Sequence, residues 1–181
     1  MQKKMTQLTA LVALFLFALP ACAHPDASHI HSGFAAGFLH PLTGLDHLLA
    51  MLAVGIWAAQ SQGKTRWAIM FTFPVMMIVG ALIGMLGVQL AGVELTIGVS
   101  IAALGLLIAF AAKLSPALST SLIAFFAVFH GLAHAAEMPG GVSILPYGAG
   151  FIVATAALHF IGLSFGLLLF VPNGRSLKSI A

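Results

Sequence analysis

The sequence predicts an all-α integral membrane protein, a helical bundle of about five transmembrane helices that follows a cleaved signal peptide. Of its 181 residues, 61% are apolar and only 6% are charged. Soluble domains average about 25% charged residues, so a water-soluble globule is excluded. The apolar residues form long continuous runs, whereas the strands of a β-barrel would be short and alternating.

The chain begins with the pattern of a secretory signal peptide over residues 1–23. Lys3 and Lys4 precede an apolar run, and Ala21-Cys22-Ala23 has the small residues of a cleavage site. Two alternatives stay open, namely lipidation of Cys22 and retention of the segment as an uncleaved anchor. Cys22 is the only cysteine, so cleavage after Ala23 leaves a mature chain with neither a disulfide nor a thiolate ligand.

Residues 24–42 are predicted to form a periplasmic His-containing arm and a re-entrant turn. His24, His29 and His31 lie in a short polar tract. Such tracts often capture metal ions, although they also serve as solvated linkers. The apolar stretch at residues 33–39 is too short to span a bilayer, so we expect it to lie at the surface or to re-enter the membrane.

Residues 43–171 are predicted to form the transmembrane bundle, and residues 172–181 a cytoplasmic tail. Five apolar segments have the length that a bilayer requires. Their predicted bounds are residues 43–60, 67–90, 95–112, 117–136 and 145–171. Short connections marked by Gly, Pro and charged residues separate these segments, so no soluble domain is expected.

The basic residues predict the orientation of the spans. A cleaved signal peptide places the mature N-terminus outside, and the connections then alternate between the two sides. Lys64 and Arg66 follow the first span, Lys113 follows the third, and Arg175 and Lys178 follow the fifth. All of them fall on the predicted cytoplasmic side. We therefore expect a multi-pass protein of the bacterial inner membrane, with a periplasmic N-terminus and a cytoplasmic C-terminus.

Two further features bear on how the spans pack. Gly80 and Gly84 in the second span, and Gly162 and Gly166 in the fifth, form pairs of small residues four apart. Such pairs let neighbouring helices approach closely. Tyr147 lies near the predicted outer interface, as the residues of an aromatic belt do.

The polar residues inside the apolar chain are concentrated in two motifs. In the first, His40-Pro41-Leu42-Thr43-Gly44-Leu45-Asp46-His47, an Asp lies at the start of the first span. A charged Asp inside hydrocarbon costs about 2.5–3.5 kcal/mol, which indicates a functional site. The alternative is that Asp46 is a solvated residue that complements the dipole at a helix start.

The second motif is Phe129-His130-Gly131-Leu132-Ala133-His134-Ala135-Ala136-Glu137. Its two histidines are four residues apart and Glu137 follows three residues later, so all three share one helix face. The first span runs inward and the fourth outward, so the two motifs should meet at the same depth. We predict a divalent metal site there, formed by His40, Asp46, His47, His130, His134 and Glu137.

His159 lies deeper in the last span, and its role is open. At about 1.5 Å per residue it is roughly 20 Å from the outer end of that span. It is either a second stop for a transported ion or a structural histidine that is hydrogen-bonded to a neighbouring helix.

The two motifs, the first of which continues as Leu48-Leu49-Ala50-Met51, resemble the signatures of the HupE/UreJ family of bacterial nickel or cobalt permeases. Ala135 stands where that family usually has Gly. The resemblance implies a secondary permease that takes up a divalent transition metal through an intramembrane site of His and carboxylate groups. A ligand set of nitrogen and oxygen suits Ni²⁺, Co²⁺, Zn²⁺ and Cu²⁺ alike. The resemblance favours nickel first and cobalt next.

On this interpretation the protein is not an enzyme, and it carries cargo rather than a cofactor: Ni²⁺ or Co²⁺, with Zn²⁺ as a further candidate. The same residues would also suit an intramembrane zinc hydrolase or, by paired histidines, the ligation of haem. The expected partners are the metal ion, the lipid bilayer and a cytoplasmic metal acceptor. A homo-oligomer is left open. The few, scattered basic residues argue against nucleic acid.

Overall fold

The computed structural model describes residues 33–170, so the predicted signal peptide, most of the His-containing arm and the tail lie outside it. Within this range the chain forms helices and no strand. The helices are α1 Gly33–Thr43, α2 Leu45–Gln60, α3 Gly63–Met85, α4 Val93–Ala109, α5 Pro116–Ala136 and α6 Ile144–Phe170. The prediction of an all-α protein is confirmed for the described residues.

Three of these helices, α3, α5 and α6, are long and apolar enough to cross a bilayer. Helices α1 and α2 meet the same requirement only as a pair, which is bent by 79° where they join at Gly44. Helix α4 has 17 residues, and at about 1.5 Å per residue it is shorter than a hydrocarbon core of about 30 Å. Three to four spans are therefore supported, and the fifth stays a prediction.

The observed helix bounds differ most from the predicted ones in α3, which ends at Met85 rather than at residue 90. The reason is Gly87, whose φ of 88° is outside the right-handed helical region. Glycine adopts this conformation without the steric cost that other residues incur, and it commonly follows the last turn of a helix.

The predicted re-entrant turn before the first span is itself a helix, α1, which packs against α6. A Cβ atom on Gly37 would collide with the backbone of Tyr147, and one on Gly150 would collide with the backbone of Phe34. The two backbones therefore approach through a reciprocal pair of glycines. The described part of the chain begins with this helix at Gly33, ten residues before the predicted start of the bundle at residue 43.

Two more reciprocal glycine pairs join the remaining long helices. Gly55 of α2 faces Gly162 of α6, and Gly80 of α3 faces Gly131 of α5. In each pair, an added Cβ would collide with the backbone of the opposite helix. The prediction that Gly80 and Gly162 serve close helix packing is confirmed.

We expect Gly162→Ala to lower the thermal unfolding temperature of the detergent-solubilised protein, because the new methyl group would force α2 and α6 apart. Gly148→Ala in the same helix is the matched control, since nothing lies within 4 Å of its added Cβ. Alanine favours a helix by about 1 kcal/mol over glycine, so the control should be at least as stable as the unmodified protein. Equal unfolding temperatures for the two variants would contradict the close approach.

The surface of the bundle is apolar, as a lipid environment requires. Phe110 and Leu168 are exposed by 76% and 82%, whereas Trp57 and Phe73 are fully buried between helices. Exposed large apolar side chains extend along α1 and α3 to α6, whereas α2 contributes only Leu45. This is the expected surface of a membrane protein.

Arg66, which the sequence suggested as a topology signal in a loop, is buried at the start of α3. Its guanidinium donates to the backbone oxygens of Ala58, Ala59 and Ser61 at 3.3, 3.5 and 2.8 Å. A cation in this position is favourable because it interacts with carbonyl groups at the end of α2, one of which, that of Ala58, also accepts the N–H of Ser61 at 3.0 Å. Arg66 therefore fixes the turn between α2 and α3 as well as contributing a positive charge.

Candidate metal site

Four side chains with metal-binding atoms converge at one end of the bundle. They are His40 of α1, His47 of α2, His134 of α5 and Glu137, the residue that follows α5. One ligand atom from each lies within 4.8 Å of all the others. We call these residues the four-residue group, and the end of the bundle that carries them the site end.

The local structure of each helix explains this convergence. The 79° bend between α1 and α2 brings His40 and His47 into contact, with ring centroids 5.6 Å apart. Helices α2 and α5 run in opposite directions, so the start of one lies beside the end of the other. The rings of His47 and His134 are 4.3 Å apart. The Glu137 N–H donates to the Ala133 oxygen at 2.9 Å, which continues the helical turn and keeps its carboxylate near His134.

Glu137 is the electrostatic centre of the four-residue group. Its Oε2 accepts from Nε2 of His40 at 2.9 Å, and Nε2 of His47 lies 3.4 Å away. Burial alone would raise the pKa of Glu137, but the hydrogen bonds and charges of these two imidazoles lower it below its usual range. Glu137 therefore supplies a negative charge at neutral pH.

Aromatic side chains of α6 form one wall of the group. The ring of Phe151 lies 3.9 Å from that of His134, and the ring of Tyr147 lies 6.1 Å from that of His40. The aromatic-belt interpretation of Tyr147 is wrong, because this residue is only 4% exposed and faces the group rather than a membrane interface. An apolar wall keeps water away and strengthens electrostatic interactions inside the site.

Two predicted ligands lie near the four-residue group but outside it. Asp46 is half-buried, and its Oδ1 accepts the N–H of His47 at 2.8 Å, as an acidic residue can in the first turn of a helix. His130 is fully buried, with its ring 5.6 Å from that of His47 and its Nδ1 3.0 Å from the Phe126 oxygen. That they bind metal directly stays a prediction.

His159 is not a member of the four-residue group. His159 is 1% exposed and its ring lies 5.3 Å from that of Phe73, which also packs 5.3 Å from the ring of His130. The histidines of the N-terminal arm, His24, His29 and His31, lie outside the described residues.

The ligand set of the four-residue group is three imidazoles and one carboxylate. Neutral imidazole nitrogen and carboxylate oxygen bind Ni²⁺, Co²⁺, Zn²⁺ and Cu²⁺, and hard ions such as Mg²⁺ prefer oxygen alone. The arrangement is therefore suited to a divalent transition metal.

Known proteins resemble the chain over nearly its whole length. The sequence model of the family described as "HupE / UreJ protein" matches residues 12–180. The chain belongs to the HupE/UreJ family. Among its relatives, Protein HupE of Rhizobium leguminosarum bv. viciae is 38% identical over 173 residues, which are 96% of this chain and 89% of that protein. No solved structure matches the chain.

Membership of the HupE/UreJ family confirms the resemblance of the two motifs and identifies the chain as a permease rather than an enzyme. The zinc hydrolase alternative has no support. Together with the apolar helices, family membership makes the chain a membrane protein.

The sequence indicated His159 as a candidate but did not indicate that it shares a buried face of α6 with three other side chains. Tyr147, Phe151, Thr155 and His159 follow one another at intervals of four residues and are all buried. This spacing places them on one side of the helix. Two polar residues and a Tyr in an apolar span were the sequence signal that could have indicated this face.

Proposed function

We propose that the protein is a secondary permease that takes up Ni²⁺, or in second place Co²⁺, across the inner membrane. The observation that supports this most directly is the four-residue group, in which three helices of a HupE/UreJ permease bring three imidazoles and a carboxylate within 4.8 Å. An intramembrane cluster of ionisable groups commonly lies on an ion pathway.

The group's ligands replace the water shell of the arriving ion. Imidazoles of His40, His47 and His134 substitute for water without adding charge, and Glu137 offsets one of the ion's two positive charges. To expose Nε2 to the metal, the rings of His40 and His47 must give up their hydrogen bonds to Glu137 and place the hydrogen on Nδ1 or release it. Metal binding is thereby coupled to proton rearrangement.

The energy for uptake is proposed to come from outside this chain. The sequence has no Gly-x-x-x-x-Gly-Lys-Ser/Thr pattern for binding ATP. Membrane potential drives a cation inward, by about 2.3 kcal/mol per elementary charge per 100 mV. A cytoplasmic metal acceptor would prevent the ion from returning.

All four ligand atoms come from one chain, so the group does not require a homo-oligomer.

The proposed topology has five spans, an N-terminus outside and a C-terminus inside, so that the site end faces the periplasm. A reporter fused after Lys178 should then be active on the cytoplasmic side. One inserted between residues 139 and 143, in the connection of α5 and α6, should be active on the periplasmic side. Finding both on one side would refute the proposed orientation of α6 and with it the periplasmic position of the four-residue group.

The function is tested by reconstituting the purified protein into lipid vesicles and following radioactive nickel. We expect accumulation that exceeds that of protein-free vesicles, saturates with concentration and is inhibited by unlabelled cobalt. Well-folded protein that moves neither metal under an inward-negative potential would refute the proposal. An absorption spectrum of the same preparation checks for bound haem, whose presence would support the alternative role of the histidines.

A further inference from the structure

Several buried polar atoms between the four-residue group and the middle of the bundle lack a hydrogen-bond partner among the described residues. They are Nδ1 of His47, Nε2 of His130, the hydroxyl oxygens of Tyr147 and Thr155, and Nε2 of His159. Buried polar atoms are nearly always paired, because leaving one without a partner destabilises the fold. A row of such atoms in an apolar span calls for a functional explanation.

Three of these atoms belong to one face of α6, and the face starts at the four-residue group. Tyr147 and Phe151 pack against its imidazoles. Thr155 and His159 follow at four-residue steps, each about 6 Å further along the helix axis. The face therefore leads from the group toward the interior of the bundle.

The hydrogen bond of His159 defines which of its nitrogens is available. Pro74 has no N–H, so it leaves the carbonyl of Met70, four residues earlier in α3, without its helical donor. The ring of His159 makes a hydrogen bond to the backbone of Met70. Because Nε2 has no partner, the bonding nitrogen is Nδ1, and it must carry the hydrogen since a carbonyl only accepts.

His159 is thus held with a lone pair on Nε2, the form that binds a metal ion. His130 is arranged in the same way: its Nδ1 bonds the Phe126 oxygen at 3.0 Å, and its Nε2 has no partner in the described chain. A backbone carbonyl that fixes the orientation and tautomer of an imidazole is typical of metal-binding histidines. The ring of Phe73 packs against both imidazoles.

We propose that Nε2 of His159 and the hydroxyl of Thr155 form a second, transient stop for the divalent ion, inward of the four-residue group. This inference rests on the proposed function. Both ligands are neutral, and water completes the coordination, so the ion is held less tightly here than beside Glu137. Conduction requires such a weaker stop, because an ion that binds too tightly does not leave.

The competing explanation is that His159 only satisfies the carbonyl that Pro74 leaves unpaired. His159→Asn separates the two roles, because the Asn amide can donate from near the position of Nδ1 but provides no imidazole lone pair. We expect this variant to remain folded and to bind nickel at the four-residue group with unchanged affinity. Its nickel uptake into vesicles should fall by roughly tenfold or more. A loss of this size is usual when a residue that supports a metal site is replaced.

A second pair of variants tests the same distinction through Pro74. Pro74→Ala supplies the missing N–H to Met70, so it should restore the thermal stability of His159→Ala. If the lone pair of Nε2 is required, the double variant His159→Ala with Pro74→Ala stays folded but still transports poorly. Recovery of uptake together with stability would overturn the proposal, as would normal uptake by His159→Asn.

The hydroxyl of Thr155 is tested with variants of matched shape. Thr155→Val, which keeps the shape but lacks the oxygen, should reduce uptake, whereas Thr155→Ser should retain most of it. Ser164→Ala is the control, because this hydroxyl lies on the exposed side of α6 and bonds the Phe160 oxygen at 2.8 Å. Normal uptake by Thr155→Val would remove Thr155 from the stop.

Measuring nickel binding and uptake on the same preparations separates this inference from the proposed function. If the unmodified protein neither binds nor transports nickel, the proposed function fails and the inner stop with it. If the unmodified protein transports nickel and the His159→Asn variant does so equally well, only the inner stop is refuted.

Discussion

Glu137→Gln is expected to reduce nickel uptake by roughly tenfold or more while the protein still inserts at a normal level. Glutamine keeps the shape of the side chain but removes the only negative charge of the four-residue group. The remaining ligands would be neutral, and a divalent ion in a largely dehydrated site would then have no negatively charged ligand. Vesicle uptake and equilibrium binding of nickel should fall together, because the proposed function has the ion bind the four-residue group before it moves inward.

Ser143→Ala is a suitable control for Glu137→Gln, because Ser143 is exposed in the same connection between α5 and α6 and its side chain is not part of the group. Acidification adds a second test. The pKa of Glu137 is lowered, so this carboxylate stays ionised in mildly acidic medium. Uptake should therefore decline in acid through protonation of the imidazoles rather than of Glu137, because a protonated ring cannot bind metal. Uptake that is unchanged in Glu137→Gln would remove the carboxylate from the site.

The long apolar runs and the Gly, Pro and charged residues between them were sufficient to predict four of the six helices to within a few residues. They also predicted that the two polar motifs lie close together. Hydrophobic length determines where a span lies, and alternating direction then determines which ends are neighbours. Helix α1 was not predicted, because its seven leading apolar residues are too few to span a bilayer. Packing of Gly37 against α6 stabilises a helix that propensity alone would not predict.

Asp46 and His47 were assigned to the same site because the two polar motifs were expected to meet at one depth. Consecutive residues of a helix nevertheless point in directions about 100° apart. His47 accordingly faces His134, and Asp46 bonds the backbone instead. The sequence placed His40 in the same predicted site as His47, but the bend at Gly44 that brings the two rings together leaves no periodic signal in the sequence.

Asp46→Asn is expected to cause the second-largest loss of uptake, although Asp46 lies outside the four-residue group. The Asn amide oxygen can still accept the N–H of His47, so the first turn of α2 should remain intact. What the substitution removes is a negative charge close enough to act electrostatically on His130. In a poorly solvated region such a charge lowers the energy of a divalent ion as it enters or moves inward. We expect uptake to fall strongly at normal protein levels.

The appropriate comparison for Asp46→Asn is a helix start that is remote from the site. Ser115 caps α5 at the opposite end of the bundle, where its Oγ accepts the N–H of Leu118 at 3.3 Å. Ser115→Ala should cost about 1 kcal/mol of stability, yet the protein that remains folded should transport nickel normally. If Asp46→Asn behaves like Ser115→Ala, with uptake undiminished per folded molecule, then Asp46 acts only at the start of α2. Of the two carboxylates that the sequence assigned to the site, only Glu137 would then be needed for transport.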